Sequence, residues 1–335
     1  MNVKISVGLV LYNSRVFLPG CLKSVFSQTF ADFEVIAVDN NSMDYSADFV
    51  GQNFPRVKIM RNARNYGFSY AHNQAIAMST GEFYLCINPD VILKDDYLEK
   101  ILNAARMDGS IGIATGKIYR LDTDFVIKKD IRTIDSTGIY LTRNMRHFDR
   151  GSGEEDREQY DKPEYVFGAT GACCLYRRRM LEDIKILGEY FDNDFFFSRE
   201  DVDIAWRSQI MGWKTLYTPS AVSYHLRTVL PERRNVLPGE MNMHSVKNRY
   251  LLQIKNHTCR TYIETFPYAL FREILIMTYV FFKERSSLKG ISFVVRNFRK
   301  IAKKRKLIMK RKKVSDSYLA YWFGKRSITL NKNDG

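Results

Sequence analysis

The sequence predicts an α/β fold: a mostly parallel, mixed sheet with helices on both faces, followed by a helical C-terminal extension. Apolar runs of strand length alternate with helix-spaced apolar residues over about the first 120 residues. Acidic residues directly follow several of these runs, and ligands bind where the strands of such sheets end. Beyond about residue 264 the pattern changes to long, basic helices. We therefore predict one large domain at 1–262 and a basic amphipathic helical region at 263–335.

Strands and helices alternate from the N-terminus. Val3–Leu11 is a continuous apolar run typical of a buried strand, and it lacks the cleavage site of a signal peptide. Leu18, Leu22 and Val25 then recur at helical spacing. The same patterns predict strands at 34–38, 57–60, 83–87 and 111–119, and helices at 71–78 and 98–105. This order predicts βαβ units and a mainly parallel sheet.

The middle of the chain is less regular. Residues 122–163 are polar and lack a clear period, which predicts a loop or a β-excursion over the sheet. Core character resumes at 165–176, where two glycines indicate tight turns. A short helix is predicted at 201–211, and a strand–turn–strand unit at 214–224 with its turn at Pro219.

The positive charge is concentrated in one segment. Residues 283–313 contain 14 Lys or Arg and one acid, a net of +13 out of the +15 of the whole chain. These cations interleave with apolar residues such as Phe298 and Ile301, which predicts binding to an anionic membrane surface through residues 268–313. The apolar run before them carries Arg272, and we expect it to be too short to span a bilayer.

The cysteines and the basic segment together indicate a location. Five cysteines without C-x-x-C spacing lie mostly in apolar segments, which predicts reduced thiols in a reducing compartment. We therefore expect a cytoplasmic protein, peripheral on the inner face of the cell membrane. No nucleic-acid partner is expected, because no recognised binding fold accompanies the tail. Charge alone leaves a nucleic-acid-binding protein as an alternative, and the oligomeric state is not indicated.

Acidic residues mark three candidate functional positions. They are Asp39 in VIAVDNNS, Asp90 in CINPDVIL, and the pair Glu200-Asp201 in FFFSREDVDIAW. Burying an unpaired carboxylate costs several kcal/mol, so Asp90 is expected to lie at a strand end, where Pro89 stops the ladder. The first βα turn lacks G-x-G-x-x-G and the chain lacks G-x-x-x-x-G-K-[ST]. A nicotinamide-dinucleotide site is therefore disfavoured and a P-loop is excluded.

Five segments, in this order, resemble the family 2 inverting glycosyltransferases of the GT-A fold, most closely the bacterial rhamnosyltransferase-like branch. They are LVLYN, VDNNSMDYS, NYGFSYAHNQAI, NPD and GEYFDNDFFFSREDVDIAWRSQIMGWKTLYTPSAVSYH. The resemblance covers about the first 255 residues and implies transfer of a sugar from a nucleotide-sugar donor. Its first choice is L-rhamnose from dTDP-rhamnose, moved to a glycan or lipid-linked oligosaccharide in cell-surface polysaccharide synthesis, such as that of O-antigen. A UDP-sugar donor (galactofuranose, N-acetylglucosamine or galactose) and a catalytically inactive scaffold are alternatives.

The resemblance also implies which residues contact the donor. The positions that match the family's base and ribose contacts are Tyr12, Asn13, Asp39 and Asn41, and those near the ribose and sugar are Asn65, Phe68 and Asn73. A late helix segment, HSVKNRY, places Lys247 and Arg249 where two cations would grip the pyrophosphate, although a solvated helix face is an equally open interpretation. The preceding loop, 227–239, would close over the donor.

A metal ion and a general base complete the implied chemistry. Asp90 would bind Mg²⁺ or Mn²⁺ at the donor diphosphate, with His225 as a second metal contact or simply a packed residue. The family motif is Asp-x-Asp, and Asn88 replaces its first acid here, where it is kept as a donor contact. Asp201 would take the proton of the acceptor hydroxyl, with Glu200 positioning the acceptor.

Two of these assignments keep an alternative. Acids in the Glu200-Asp201 pair also favour a helix N-terminus, where the helix dipole stabilises them. The turn at Gly168–Gly171 is expected to line the acceptor or sugar pocket, and tight packing would explain its glycines equally well.

Overall fold

The computed structural model describes residues 3–122, 125–128, 131–227, 238–325 and 327–330. The strands are β1 (Ile5–Leu11), β2 (Phe33–Asp39), β3 (Val57–Arg61), β4 (Phe83–Ile87), β5 (Val91–Leu93), β6 (Ile111–Arg120), β7 (Ile134–Ser136), β8 (Ile139–Leu141), β9 (His147–Asp149), β10 (Glu164–Val166), β11 (Cys173–Arg177), β12 (Lys214–His225) and β13 (Ile328–Thr329). The helices are α1 (Leu18–Phe26), α2 (Ser46–Asn53), α3 (Phe68–Met78), α4 (Tyr97–Arg106), α5 (Arg178–Ile184), α6 (Glu200–Ile210), α7 (Gly239–Asn256), α8 (Cys259–Phe282), α9 (Leu288–Arg296), α10 (Phe298–Lys310) and α11 (Asp316–Tyr321).

The central sheet is mixed, as predicted. Its order is β13-β10-β12-β6-β11-β4-β1-β2-β3, with β5 and β7 pairing at β12 and β6. Strands β3, β2, β1 and β4 are parallel neighbours, β6 and β12 are parallel, and β11 runs antiparallel between the two groups. The predicted strand–turn–strand at 214–224 is wrong. It is one strand, β12, whose register with β6 shifts between Tyr217 and Val222, because Pro219 offers no N–H to the ladder.

Helices cover both faces of the sheet because successive strand residues point to opposite sides. On β2, Val35 and Ala37 join the core beneath α1 and α4, whereas Ile36 and Val38 join the core beneath α3 and α5. A strand buried on both faces reads as a continuous apolar run, which is why no alternation is visible in the sequence. The predicted α/β fold class is confirmed.

The polar middle stretch forms a β-excursion. Strand β7 pairs with β6, and β8 pairs with β9 in a separate two-stranded ladder. This places β7 and β9 near the carboxyl ends of β6 and β12, where Thr133 O accepts from Arg120 N and His225 O accepts from Leu121 N, each at 2.8 Å. The excursion thus contributes side chains to that edge of the sheet.

The C-terminal helices pack on the body of the protein. Val294, Ile301, Ile308 and Trp322 share a third core with residues of β10, α6 and α7, and β13 pairs with β10. The division of the chain at residue 262 stays a prediction.

Part of the basic charge is used inside the molecule. Lys304 of α10 is 1% exposed, and its Nζ lies 2.5 Å from Asp192, 2.9 Å from Asp194 and 3.0 Å from Glu189. Its neighbour Lys303 is exposed. Part of the positive segment is therefore buried against the rest of the protein, and only part of it is exposed to solvent.

We expected the apolar run to be too short to span a bilayer, and its length shows that this expectation is wrong. Helix α8 has 24 residues, and its most apolar window has a mean hydropathy of 1.2 with 17% of it buried. Among the described helices it is the one that length and composition alone would allow to cross a membrane. It nevertheless carries Glu273, which pairs with Arg249 of α7.

Candidate active site

The predicted donor residues meet at one edge of the sheet. In the parallel ladder Leu11 lies opposite Asp39, and Leu9 lies opposite Ile87. The carboxyl ends of β2, β1 and β4 are therefore adjacent: Asp39 is the last residue of β2, and Tyr12 and Asn88 directly follow β1 and β4. Ligands of open α/β sheets bind at such an edge.

The turns after β1 and β2 are tied together. Asn13 and Asn41 both have positive φ, a conformation that Asn tolerates better than most residues. The Asn13 Oδ1 accepts from Met43 N at 2.8 Å, and Asn13 N donates to the Ser42 Oγ at 3.1 Å. Tyr12 is 53% exposed, whereas Asp39 is buried at the end of β2. An exposed ring beside a buried acid is the arrangement expected for stacking on a base and accepting from it.

The remaining predicted sugar contacts lie at or near the start of α3. The Asn65 Oδ1 accepts from Gly67 N at 2.8 Å and shapes the turn before Phe68. The Asn73 amide is engaged by the segment before α6: its Nδ2 donates to Phe191 O at 2.7 Å, and its Oδ1 accepts from Phe191 N at 2.9 Å. Asn73 therefore braces that segment, and a contact with the donor stays a prediction for it.

Asp90 and His225 lie together because β5 pairs with the end of β12. His225 is opposite Val91 in that ladder, and its Nε2 lies 3.5 Å from the Asp90 Oδ1. The His225 Nδ1 forms a 2.8 Å hydrogen bond with the Asp135 Oδ2. Burial disfavours a charged imidazole, but the two carboxylates outweigh it and raise the His225 pKa to about 9. The surroundings of this ring thus stabilise positive charge.

Asp135 was missed by the sequence analysis. It is fully buried in β7, between the His225 ring and the Arg227 Nε at 2.8 Å, and Arg227 also reaches Asp149 at 2.5 Å. The residue lies in the aperiodic polar stretch, where no pattern singles it out. Only the β6–β7 pairing shows that it stands behind His225.

The residues at this position fit a divalent cation. Among the described residues, the Asp90 Oδ1 is buried and has only the His225 Nε2 at 3.5 Å beside it, a long contact, so a cation would satisfy this acceptor better. Asp135 would orient the His225 ring from behind, as carboxylates do for metal-bound histidines. No group of three or more His, Cys, Asp or Glu with metal-site geometry occurs in the described chain, so substrate oxygens would complete the ligand set. Oxygen-rich sets of this kind suit Mg²⁺ or Mn²⁺.

Asp201 opens α6 close to the Asp90 turn. Its Oδ2 accepts from Gly171 N at 3.0 Å, and its Oδ1 accepts from Val202 N at 2.7 Å. Ala172 O accepts from Asn88 N at 2.8 Å, so two consecutive residues, Gly171 and Ala172, connect Asp201 to the turn that contains Asp90. Burial, with a smaller contribution from Asp149, raises the Asp201 pKa to about 6. A carboxylate that titrates near neutrality is suited to general base catalysis.

The turn at Gly168–Gly171 serves two purposes. A Cβ at Gly168 would lie 2.4 Å from the Ala205 Cβ, so this glycine is needed for packing against α6. Gly171 instead presents its N–H to Asp201. Contact of the turn with an acceptor or sugar stays a prediction.

The segment before Asp201 is strained and firmly held. Phe196, Ser198 and Arg199 all have positive φ, which costs free energy for residues with a side chain. Asn248 of α7 donates from Nδ2 to the carbonyl oxygens of Phe195, Phe197 and Ser198 at 2.9, 2.7 and 2.7 Å. Strain that surrounding structure maintains is typical of functional sites.

Glu200 differs from its neighbour. It is 7% exposed, and its Oε2 has no hydrogen-bond partner among the described residues. Burial and the nearby Asp201 raise the Glu200 pKa well above its usual value, which favours the protonated form. A role in positioning the acceptor stays a prediction.

Lys247 and Arg249 are buried with internal partners. Lys247 Nζ donates to Asp194 O at 2.5 Å, and burial lowers its pKa to about 8. Arg249 is 3% exposed and pairs with Glu273. The grip on a donor diphosphate thus stays a prediction for both. The loop expected to close over the donor includes residues 228–237, which lie outside the described residues.

The chain is similar to known proteins in sequence and in fold. The family model described as "Glycosyl transferase family 2" matches residues 6–185. The Mycobacterium tuberculosis (strain ATCC 25618 / H37Rv) N-acetylglucosaminyl-diphospho-decaprenol L-rhamnosyltransferase is 27% identical over 67% of this chain and 76% of its own length. An uncharacterised protein of Sinorhizobium fredii, y4gI, is 26% identical over 62% of this chain, which spans 23% of that relative.

A solved structure shares the fold. The mannosyltransferase PcManGT of Pyrobaculum calidifontis, determined with GDP-Man and Mn²⁺, aligns over 96% of this chain and 88% of its own with a TM-score of 0.52. The sequence identity is 13%, so the likeness concerns the fold alone.

Proposed function

The chain belongs to glycosyl transferase family 2, since the family model spans more than half of it, and we propose that it transfers L-rhamnose from dTDP-rhamnose to a lipid-linked oligosaccharide. One observation carries the reaction class: Asp201, with its pKa raised to about 6, is connected to the Asn88–Asp90 turn by backbone hydrogen bonds of two consecutive residues, Gly171 and Ala172. The choice of rhamnose and of a lipid diphosphate acceptor rests on the mycobacterial relative.

The proposed reaction inverts the anomeric carbon. The acceptor hydroxyl oxygen forms a bond to that carbon from the face opposite the diphosphate, while the bond from the carbon to the diphosphate oxygen breaks. The nucleoside diphosphate leaves with the electron pair, and the hydroxyl proton passes to a carboxylate oxygen of Asp201. Asp90 and His225 would hold Mg²⁺ or Mn²⁺, which neutralises charge on the departing diphosphate.

A screen of nucleotide sugars for thermal stabilisation tests the donor. A ligand at 100 times its dissociation constant stabilises the folded state by about 2.7 kcal/mol. We expect dTDP and dTDP-rhamnose with Mn²⁺ to raise the melting temperature more than UDP-sugars do. A preference for a UDP-sugar would contradict the rhamnose assignment, and no response to any nucleotide sugar would contradict the proposed function.

The membrane surface is proposed as the location, in the cytoplasm on the inner face. Along α8, Phe271, Phe281 and Phe282 are 70%, 58% and 67% exposed, and exposed cations such as Arg296 and Arg299 follow on the next helices. Exposed aromatic residues beside cations are typical of helices that lie in the headgroup region of an anionic bilayer.

Vesicle flotation tests this location. The full chain is expected to float with vesicles containing phosphatidylglycerol, and the double variant Phe281→Asp/Phe282→Asp to remain at the bottom. Met107→Asp, which is 65% exposed in the unmodified protein and lies outside the C-terminal helices, is the matched control. Binding to duplex DNA without binding to vesicles would overturn the membrane proposal.

A further inference from the structure

A cavity of about 360 Å³ lies between α7, α8 and the turn before α6. Three guanidinium groups line it, together with an apolar wall of aliphatic side chains. The lining residues used below are Arg199, Arg249, Arg272, Leu275, Ile276 and Val280. We call this space the arginine cavity.

The arginine cavity is electropositive. Arg249 pairs with Glu273 of α8, and Arg199 Nη2 donates to the Ser245 Oγ at 3.3 Å. Arg272 Nη1 donates to backbone oxygens, at 3.1 Å to Asn144 and 3.4 Å to Met145. Burial, and after it the nearby arginines, hold the pKa of the neighbouring His147 well below its usual value. Converging guanidinium groups are the protein's preferred ligands for phosphate.

The cavity lies on the Asp201 side of the site. Arg199 is two residues before Asp201, and strand β9 runs from His147, beside the arginines, to Asp149, whose charge acts on Asp201. The arginine cavity and Asp201 are therefore connected through the same two segments, the turn before α6 and strand β9.

The apolar wall distinguishes the ligand. Leu275 and Ile276 come from α8, whose Phe271 and Ile274 continue the apolar surface to the outside at 70% and 55% exposure. A nucleoside diphosphate has no hydrocarbon to place there. A phosphate with an attached lipid chain satisfies the arginines and covers the apolar residues at once.

We propose that the arginine cavity binds the diphosphate of a lipid-linked acceptor, with its hydrocarbon chain along α8 and its sugar hydroxyl directed to Asp201. This inference rests on the proposed function for the identity of the reaction, but the binding itself needs neither donor nor catalysis. Arg249, assigned from the sequence to the donor pyrophosphate, then serves the acceptor.

The test is binding of farnesyl diphosphate to the full chain by titration calorimetry, beside inorganic pyrophosphate and farnesol. We expect farnesyl diphosphate to bind at least ten-fold more tightly than either fragment. Arg272→Gln and Leu275→Asp should each weaken it by ten-fold or more and leave the affinity for dTDP with Mn²⁺ unchanged. The control is Arg143→Gln. It removes a guanidinium group that contacts Tyr268 of α8 outside the cavity, and it should leave the affinity for farnesyl diphosphate unchanged.

Each other outcome overturns the proposal. Equal affinity for pyrophosphate and farnesyl diphosphate would identify a site for free anions. A loss of dTDP affinity in Arg272→Gln would assign the cavity to the donor, and farnesyl diphosphate binding that survives both substitutions would place the lipid elsewhere. Failure of the proposed function would appear separately, as absent nucleotide-sugar binding in the unmodified chain.

Discussion

Two aspartates of the candidate active site lie in opposite surroundings. Asp90 faces the His225 ring at 3.5 Å, with Asp135 behind that ring. Asp201 accepts from two backbone N–H groups and forms no ion pair with the described residues, and burial raises its pKa to about 6. An aspartate side chain is thus suited to bind a cation at position 90 and to accept a proton at position 201.

Their supports differ as well. Asp90 is held by the pairing of β5 with β12, within the sheet. The segment before Asp201 is held by the C-terminal half of the chain, through Asn248 of α7 and through Lys304 of α10, which pairs with Asp192 and Asp194. The C-terminal helices therefore support the Asp201 side of the site, whatever else they contact.

The largest effect is expected for Asp201→Asn. An amide cannot take the acceptor proton, and general base catalysis contributes about 10²–10⁴-fold to a rate. Single-turnover transfer should fall by that factor while dTDP affinity stays within two-fold. An unchanged transfer rate would remove Asp201 from the role of base.

Lys304→Met tests the support of the Asp201 side. Breaking a buried ion pair by removing one partner costs about 3–5 kcal/mol, here because Asp192 and Asp194 lose a shared cation. Denaturant unfolding should show a decrease in the free energy of unfolding near the lower end of this range, because Lys255 still pairs with Asp192. Lys303→Met, at an exposed position of the same helix, should change stability by less than about 0.5 kcal/mol.

Asp135→Asn tests whether Asp90 and His225 bind a metal ion. Removing the carboxylate that orients a metal-bound histidine weakens metal affinity by about 10–100-fold. The Mn²⁺ concentration that gives half-maximal dTDP binding should rise by this factor. Asp161→Asn, which removes an exposed carboxylate paired with Lys117, is the control, and an equal shift there would show that the effect is not specific to His225.

The smallest effect is the pH dependence of stability. A folded-state pKa of about 6 lies above the unfolded value of about 4, so the folded protein binds this proton more tightly. Ionisation of Asp201 therefore destabilises the fold as the pH rises from about 4 to 6, by on the order of 1–3 kcal/mol. Asp201→Asn should raise the melting temperature at pH 8 and not at pH 4. Equal melting temperatures at pH 8 would show that the Asp201 pKa is not raised.

The sequence sufficed for features that depend on neighbours along the chain. The apolar runs predicted the strands, and the acids that follow them, Asp39 and Asp90, lie at the strand ends as expected. Asp135 could not be predicted, because its importance comes from pairing across 90 residues with His225. Lys303 and Lys304 are adjacent lysines that the sequence does not distinguish. Only the packing of α10 shows that Lys304 is buried, whereas Lys303 is exposed.

The most direct test compares Asp90→Asn with Asp201→Asn by measuring dTDP affinity with and without Mn²⁺. If Asp90 binds a metal and Asp201 takes a proton, Mn²⁺ will strengthen dTDP binding in Asp201→Asn as in the unmodified protein, and will have no effect in Asp90→Asn. Retained Mn²⁺ dependence in Asp90→Asn, or its loss in Asp201→Asn, would contradict the division of roles between the two aspartates.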